Sequence, residues 1–151
     1  MKRRHFLGLL AAAFLAPLAH AAAKPKITVY KTPTCGCCHE WVAHLQKNGF
    51  EVVAHDVPDT SPYRKKFGVP AELGSCHTGV IDGYALEGHV PAEDIHRLLA
   101  EKPKARGLAV PGMIVGSPGM EVEGTRRDAF DVVLFDDAGG RKVWQRYAAR
   151  S

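Results

Sequence analysis

Cys35, Gly36, Cys37 and Cys38 put three thiols within four residues, and His39 follows at once. The fourth and last cysteine, Cys76, stands in Ser75-Cys76-His77-Thr78. Three thiols so close cannot all be satisfied by local disulfides. Cys35 and Cys38 have the C-x-x-C spacing that can form one, whereas a bridge between the neighbours Cys37 and Cys38 strains the peptide between them. One thiol is left over. A soft metal ion and a redox relay are the simplest uses for such a cluster, and Cys76 could serve either.

Soft thiolates with nearby thioethers select Cu(I), with zinc as the usual competitor. A structural zinc site commonly draws its four ligands as two separated pairs. The adjacency of Cys37 and Cys38 suits a multinuclear Cu(I) cluster better, because each sulfur can bridge two ions. Met113 and Met120 recur in a repeated triplet, Pro111-Gly112-Met113 and Pro118-Gly119-Met120, and are candidate further soft ligands. His39 lies beside the cysteines. Cys37, Trp41 and His44 share one face of the helix expected there, so His44 can look toward the rim of the site. It lies about 10 Å along the axis from Cys37, too far to share one ion with it. His77 follows Cys76 on an expected strand and should point to the opposite face, as a hydrogen-bonding residue rather than a ligand. His55, His89 and His96 carry no sharp signal. The run Cys35 to His39 also matches the C-x-x-C-H haem-attachment motif. The extra Cys37 and the β-strand before it speak against that reading.

The elements that must position these residues follow from the pattern. Ile27 to Tyr30 is a short strand ended by Pro33, and Thr34 can cap the next helix, whose apolar face is Trp41, Val42 and Leu45. Asn48-Gly49 stops that helix, and Phe50 to Val57 is a second strand. Strand, C-x-x-C turn, helix and strand in this order form a βαβ unit with the cysteines at the helix N-terminus, the thioredoxin-like signature. There the helix end favours thiolate. A short helix from Ser61 to Phe67, strands at Thr78–Ile81 and Tyr84–Glu87 joined across Asp82-Gly83, and a helix opening at Pro91 come next. Residues 107–124 read as a Gly/Pro/Met loop with no core of its own. Phe130–Phe135 and Val143–Tyr147 close the chain as a β-hairpin. The expected fold is α/β: a thioredoxin-like βαβ core with a mixed sheet. In such folds the segment entering the third strand lies against the C-x-x-C turn, which brings Cys76 to the cluster. A thioredoxin would carry a cis-proline near that point; here the nearest proline, Pro70, lies several residues upstream.

Residues 1–23 read as an export signal of the general secretory or twin-arginine type. Lys2, Arg3 and Arg4 precede an apolar run from Leu7 to Leu18 and an Ala19-His20-Ala21 cleavage site, and Arg3 to Leu7 fits R-R-x-F-L. Residues 24–151 are then one domain in an oxidising compartment, the periplasm, where thiols must be paired, metal-bound or kept reduced by a partner. The chain carries 20 basic and 16 acidic residues, net +4, and removing the signal's three basic residues leaves +1. No basic tract remains, which excludes nucleic acid as a partner, and no stretch is long enough for a comfortable membrane span.

Taken together, Cys35 to Cys38 with Trp41, Ser75 to Thr78, Gly83-Tyr84, Glu87-Gly88-His89-Val90-Pro91, Gly107 to Met113 and Gly116 to Glu121 resemble the CopG-type family of periplasmic copper-resistance proteins. The resemblance runs from Lys26 to the final hairpin. It implies a thioredoxin-like fold, Cu(I) held as a cysteine-bridged multinuclear cluster, and a role in copper tolerance. By position, Cys35, Cys37, Cys38 and Cys76 match the family's cysteines. Ile114 departs from the pattern, which has Pro after Met113. The expected protein is an exported Cu(I)-binding protein that sequesters copper or passes it to another periplasmic copper or redox protein, with room for copper redox activity. The rival is a thiol–disulfide oxidoreductase with Cys35 as nucleophile and Cys38 as resolving thiol.

Overall fold

The computed structural model describes residues 23–151; the expected signal segment lies, but for Ala23, outside them. Ile27, Thr28, Val29 and Tyr30 suit a pleated, half-covered surface and form β1 over Lys26–Lys31, with Ile27, Val29 and Lys31 turned inward. The helix α1 spans Gly36–Lys47 and buries Cys38, Trp41 and Leu45. Gly49, at φ +91°, lets the chain leave it in the left-handed region. Strand β2 (Glu51–Asp56) then returns parallel to β1.

A short helix α2 (Ser61–Lys66) and a single 3-10 turn at Ala71–Leu73 lead to β3 (His77–Ile81), which pairs antiparallel with β1. Asp82 and Gly83 both take positive φ, as a tight hairpin turn requires, and β4 (Tyr84–Glu87) runs back along β3. Helix α3 (Ala92–Glu101) follows Pro91. Three further strands, β5 (Gly107–Ala109), β6 (Phe130–Phe135) and β7 (Arg141–Tyr147), complete a seven-stranded mixed sheet in the order β2-β1-β3-β4-β5-β6-β7. The fold is mixed α/β, as expected.

One part of the sequence reading is corrected. The segment from residue 107 does not begin as a loop. Gly107, Leu108, Ala109 and Val110 are buried, and β5 pairs parallel with β4 and antiparallel with β6. This strand is short and covered on both faces, so no apolar–polar alternation marks it. Gly107 is required by contact: a Cβ there would lie 1.9 Å from the Ala85 carbonyl oxygen. Through β5 the C-terminal hairpin becomes part of the main sheet.

Two apolar layers cover the sheet. Trp41, Leu45, Ile95 and Leu98 from α1 and α3 pack with Ile27, Val29, Ile81, Leu86, Leu108 and Val132. On the other face Val69 and Leu73 meet Ala85, Ala109 and Phe135, with Phe67 at the edge. No helix among the described residues is long and apolar enough to cross a membrane.

Because Leu108 is fully buried in the strand that joins both halves of the sheet, Leu108→Ala should lower unfolding stability by about 2–5 kcal/mol. Urea denaturation checks this: the midpoint should fall while the slope stays unchanged.

Candidate metal centre

The cysteines begin where α1 begins. Cys35, not the expected Thr34, is the residue at the N-cap, with extended backbone and no side-chain cap bond. Cys37 and Cys38 therefore lie in the first helical turn, whose N–H groups have no acceptor inside the helix. Cys35 and Cys38 are joined by a disulfide, with Cα atoms 5.3 Å apart, and Cys37 and Cys76 are free.

Cys76 arrives from the far side of a long sequence gap, and a buried carboxylate fixes its path. Glu87, at the end of β4, is wholly inaccessible. It accepts from Arg64 Nε at 2.7 Å, from the Ser75 backbone N–H at 2.7 Å and from Thr78 Oγ1 at 2.6 Å. Arg64 also donates to the Ser75 carbonyl at 2.6 Å. Ser75, the residue before Cys76, is thus gripped at both its backbone N–H and its carbonyl. The result is a run of sulfurs: Cys37 Sγ is 3.6 Å from Cys35 Sγ and 3.8 Å from Cys76 Sγ. All four sulfurs lie within 4.8 Å of one another. An ion with bonds of about 2.3 Å can bridge sulfurs up to about 4.6 Å apart, so both measured gaps are short enough to share one. Burial, with Cys37 beside it, pushes the Cys76 thiol up to about 12, so a metal must displace its proton.

Two histidines that sequence reasoning set aside border Cys76. His77 does not turn its ring away: its Nδ1 lies 3.3 Å from Cys76 Sγ, and its Nε2 donates to the Gly88 carbonyl at 2.9 Å. Strand alternation fails as a guide because Cys76 precedes β3 and is not part of its pleat. Trp41 packs at 4.3 Å from the His77 ring and donates its Nε1–H to the Val90 carbonyl, which holds that ring in place. His89 Nε2 lies 3.2 Å from the same sulfur, while its Nδ1 donates to the Pro118 carbonyl at 2.8 Å. Burial lowers both imidazoles, His77 to about 3, so both rings are neutral at ordinary pH. The only sequence signal for His89 was its place in the Glu87-to-Pro91 motif.

The other candidates are placed differently. His39 Nε2 accepts from the buried Lys31 ammonium at 2.9 Å, and Lys31 is also paired with Asp56. His44 Nε2 accepts the Ala92 N–H at 3.1 Å and so caps α3, with its imidazole lowered chiefly by burial. Neither joins a group of clustered ligand atoms among the described residues. The repeated Pro-Gly-Met triplet touches both cysteine segments through its glycines. Gly112 donates to the Gly74 carbonyl and accepts from Ser75 Oγ. Gly119, at φ +85°, lies so close to α1 that a Cβ would be 2.6 Å from Trp41 N and 2.9 Å from the Cys37 carbonyl. Met113 stands exposed and Met120 half-buried next to these anchors.

Residues 73–120, the stretch holding Cys76, both histidines and both Pro-Gly-Met triplets, match the family described as "Protein of unknown function, DUF411". Among curated proteins nothing matches. A solved structure of "Copper resistance protein copG", form 2, is 48% identical, covers 82% of this chain and 98% of its own, and superposes with a TM-score of 0.78. The chain belongs to the CopG family. Form 1 of the same CopG structure is 47% identical, with 83% of this chain and 98% of its own covered and a TM-score of 0.78. The sequence resemblance to CopG-type proteins is thereby shown. The span shared with CopG includes nearly all of the described chain, so the cysteine cluster, the imidazoles and the Met loop sit on a common framework.

If Glu87 holds the Cys76 peptide, Glu87→Gln should lower stability by about 3 kcal/mol by leaving Arg64 unpaired. Iodoacetamide should then alkylate Cys76 faster relative to Cys37, as read by peptide mass spectrometry; an unchanged ratio would show that Glu87 does not control the thiol.

Proposed function

We propose that this chain is an exported Cu(I)-binding protein that acts in copper resistance. In this reading Cys35, Cys37, Cys38 and Cys76, once reduced, hold copper as a sulfur-bridged multinuclear cluster. The observation that carries it is the convergence of four sulfurs from two distant segments within 4.8 Å. Thiolate-rich donor sets favour Cu(I), with zinc as the competitor. The relatives named copper resistance proteins support the same ion. The Met113 and Met120 loop, anchored on both cysteine segments, supplies soft thioethers at the rim. The periplasm is the compartment that the export signal implies, and copper is cargo, bound there or passed to another copper or redox protein.

The finer fold reading belongs to the same proposal. The β2-β1-β3-β4 portion has β1 and β2 parallel and β3 antiparallel to β1. With a C-x-x-C at the start of α1, this pairing supports the reading of a thioredoxin-like core. One observation favours the rival, a thiol–disulfide oxidoreductase. Cys35 and Cys38 are paired, with Cys35 partly exposed and Cys38 buried, as suits a nucleophile and a resolving thiol. Cys37 argues against it, because its sulfur lies 3.6 Å from Cys35 and would intercept a mixed disulfide.

Anaerobic titration of the reduced protein against a Cu(I) chelator should show more than one Cu(I) per chain, held in preference to zinc. Saturation at one zinc with no tight copper would overturn the reading. Cys37→Ser should lose much of the copper yet keep the Cys35–Cys38 disulfide. Normal loading of that variant, with thiol exchange lost in Cys35→Ser, would favour the oxidoreductase. Loading should weaken as pH falls, because the Cys76 thiol must give up its proton; proton release measured in weak buffer checks this.

A further inference from the structure

The four-sulfur site cannot operate while Cys35 and Cys38 are bonded to each other, since a disulfide offers no thiolate. The donors that remain form a different set. His77 spends its Nε2–H on the Gly88 carbonyl, and His89 spends its Nδ1–H on the Pro118 carbonyl. A carbonyl can only accept, so in each neutral ring the other nitrogen is bare. Both bare nitrogens, His77 Nδ1 and His89 Nε2, face one atom, Cys76 Sγ, at 3.3 and 3.2 Å. One thiol has one proton and can satisfy only one of them. The second is a buried acceptor aimed at sulfur with nothing to accept, since both side chains are inaccessible.

The spacing points to a cation between the three atoms. Bonds of about 2.3 Å to sulfur and about 2.0–2.1 Å to nitrogen, at tetrahedral angles, hold S and N about 3.6 Å apart. The measured gaps fall a few tenths of an ångström short of that, which small ring rotations can supply. The three ligand atoms all lie within 4.8 Å of one another, and Cys37 is not part of this group. Each imidazole already has its outer carbonyl partner, the arrangement that fixes ring orientation at metal sites. One thiolate with two imidazoles is a borderline rather than a soft donor set.

We propose that, with the Cys35–Cys38 disulfide closed, Cys76 Sγ, His77 Nδ1 and His89 Nε2 form a distinct site for one borderline divalent ion. Binding replaces the thiol proton by the ion and releases one proton. Since Cys76 belongs to both sets, the oxidised chain takes one divalent ion and the reduced chain takes the copper cluster. This rests on the copper reading only in sharing Cys76.

The test uses the oxidised protein with Co²⁺ as an optical probe, under anaerobic conditions. Alkylation should first count two free thiols, confirming the disulfide. One Co²⁺ per chain should then bind, with thiolate-to-cobalt charge-transfer absorption and the d–d bands of a four-coordinate ion. Cys76→Ser should abolish the charge-transfer band. His89→Gln should weaken binding by at least the about tenfold that loss of an outer-shell partner costs. A far-UV circular dichroism spectrum like that of the wild type shows that this variant folds. The double variant Cys35→Ala/Cys38→Ala should keep the cobalt spectrum while it cannot build the four-sulfur cluster. Absence of a thiolate–cobalt band in the oxidised wild type would overturn the proposal. So would a band that survives Cys76→Ser, or one that needs Cys35 and Cys38. Copper loading of the reduced wild type is a separate readout, so either reading can fail alone.

Discussion

Glu87 is a carboxylate with no access to water, and the functional end of the molecule is organised around satisfying it. An unpaired charge at that depth would cost several kcal/mol. Three donors prevent this: the Arg64 guanidinium, the Thr78 hydroxyl and the Ser75 backbone N–H. Arg64 comes from α2, Ser75 from the connection before β3, Thr78 from β3 and Glu87 from β4. One buried ion pair therefore ties four segments together and leaves Cys76 with a single place to be. Its sulfur meets the α1 thiols because β3 pairs with β1, and β1 leads directly into the cysteine turn.

The second constraint is the doubled Pro-Gly-Met triplet. A loop of this length without regular structure is held only where its backbone is bonded or closely packed. Gly112 is bonded beside Cys76, and Gly119 rests on the first turns of α1 beside Cys37. Between them, the Pro118 carbonyl accepts from His89 and fixes its ring. The loop thus spans the two cysteine segments and sets which nitrogen of His89 is bare. The repeat is a device of backbone contact first, and the methionines ride on it.

Lys31, His39 and Asp56 form a polar cluster under the start of α1, with the lysine almost wholly buried. It sits at the end of the parallel β1–β2 pair, where Lys31 and Asp56 are register partners. His39, sequence neighbour of the thiols, belongs to this support. His44 likewise serves architecture, accepting the Ala92 N–H at the start of α3. Proximity in sequence placed both near the site; their hydrogen bonds give them structural work.

The sequence by itself determined the cysteine cluster, the order of the first strand, helix and strand, the β3–β4 hairpin and the terminal hairpin. Each is a local signal: a spacing, a turn dipeptide or a period of alternation. It also carried the family, because six motifs in fixed order are legible without coordinates. Only the tertiary structure decided the rest. Strand β5 was hidden because Gly107-Leu108-Ala109 is buried on both faces and so shows no alternation. The grip of Glu87 on Ser75 joins residues 12 apart through a charge whose burial no local pattern reports. His77 and His89 converge on Cys76 because backbone carbonyls of Gly88 and Pro118 orient their rings. A residue type and a spacing can name a ligand, but which ring nitrogen is bare, and what it faces, depends on carbonyls supplied from elsewhere in the chain.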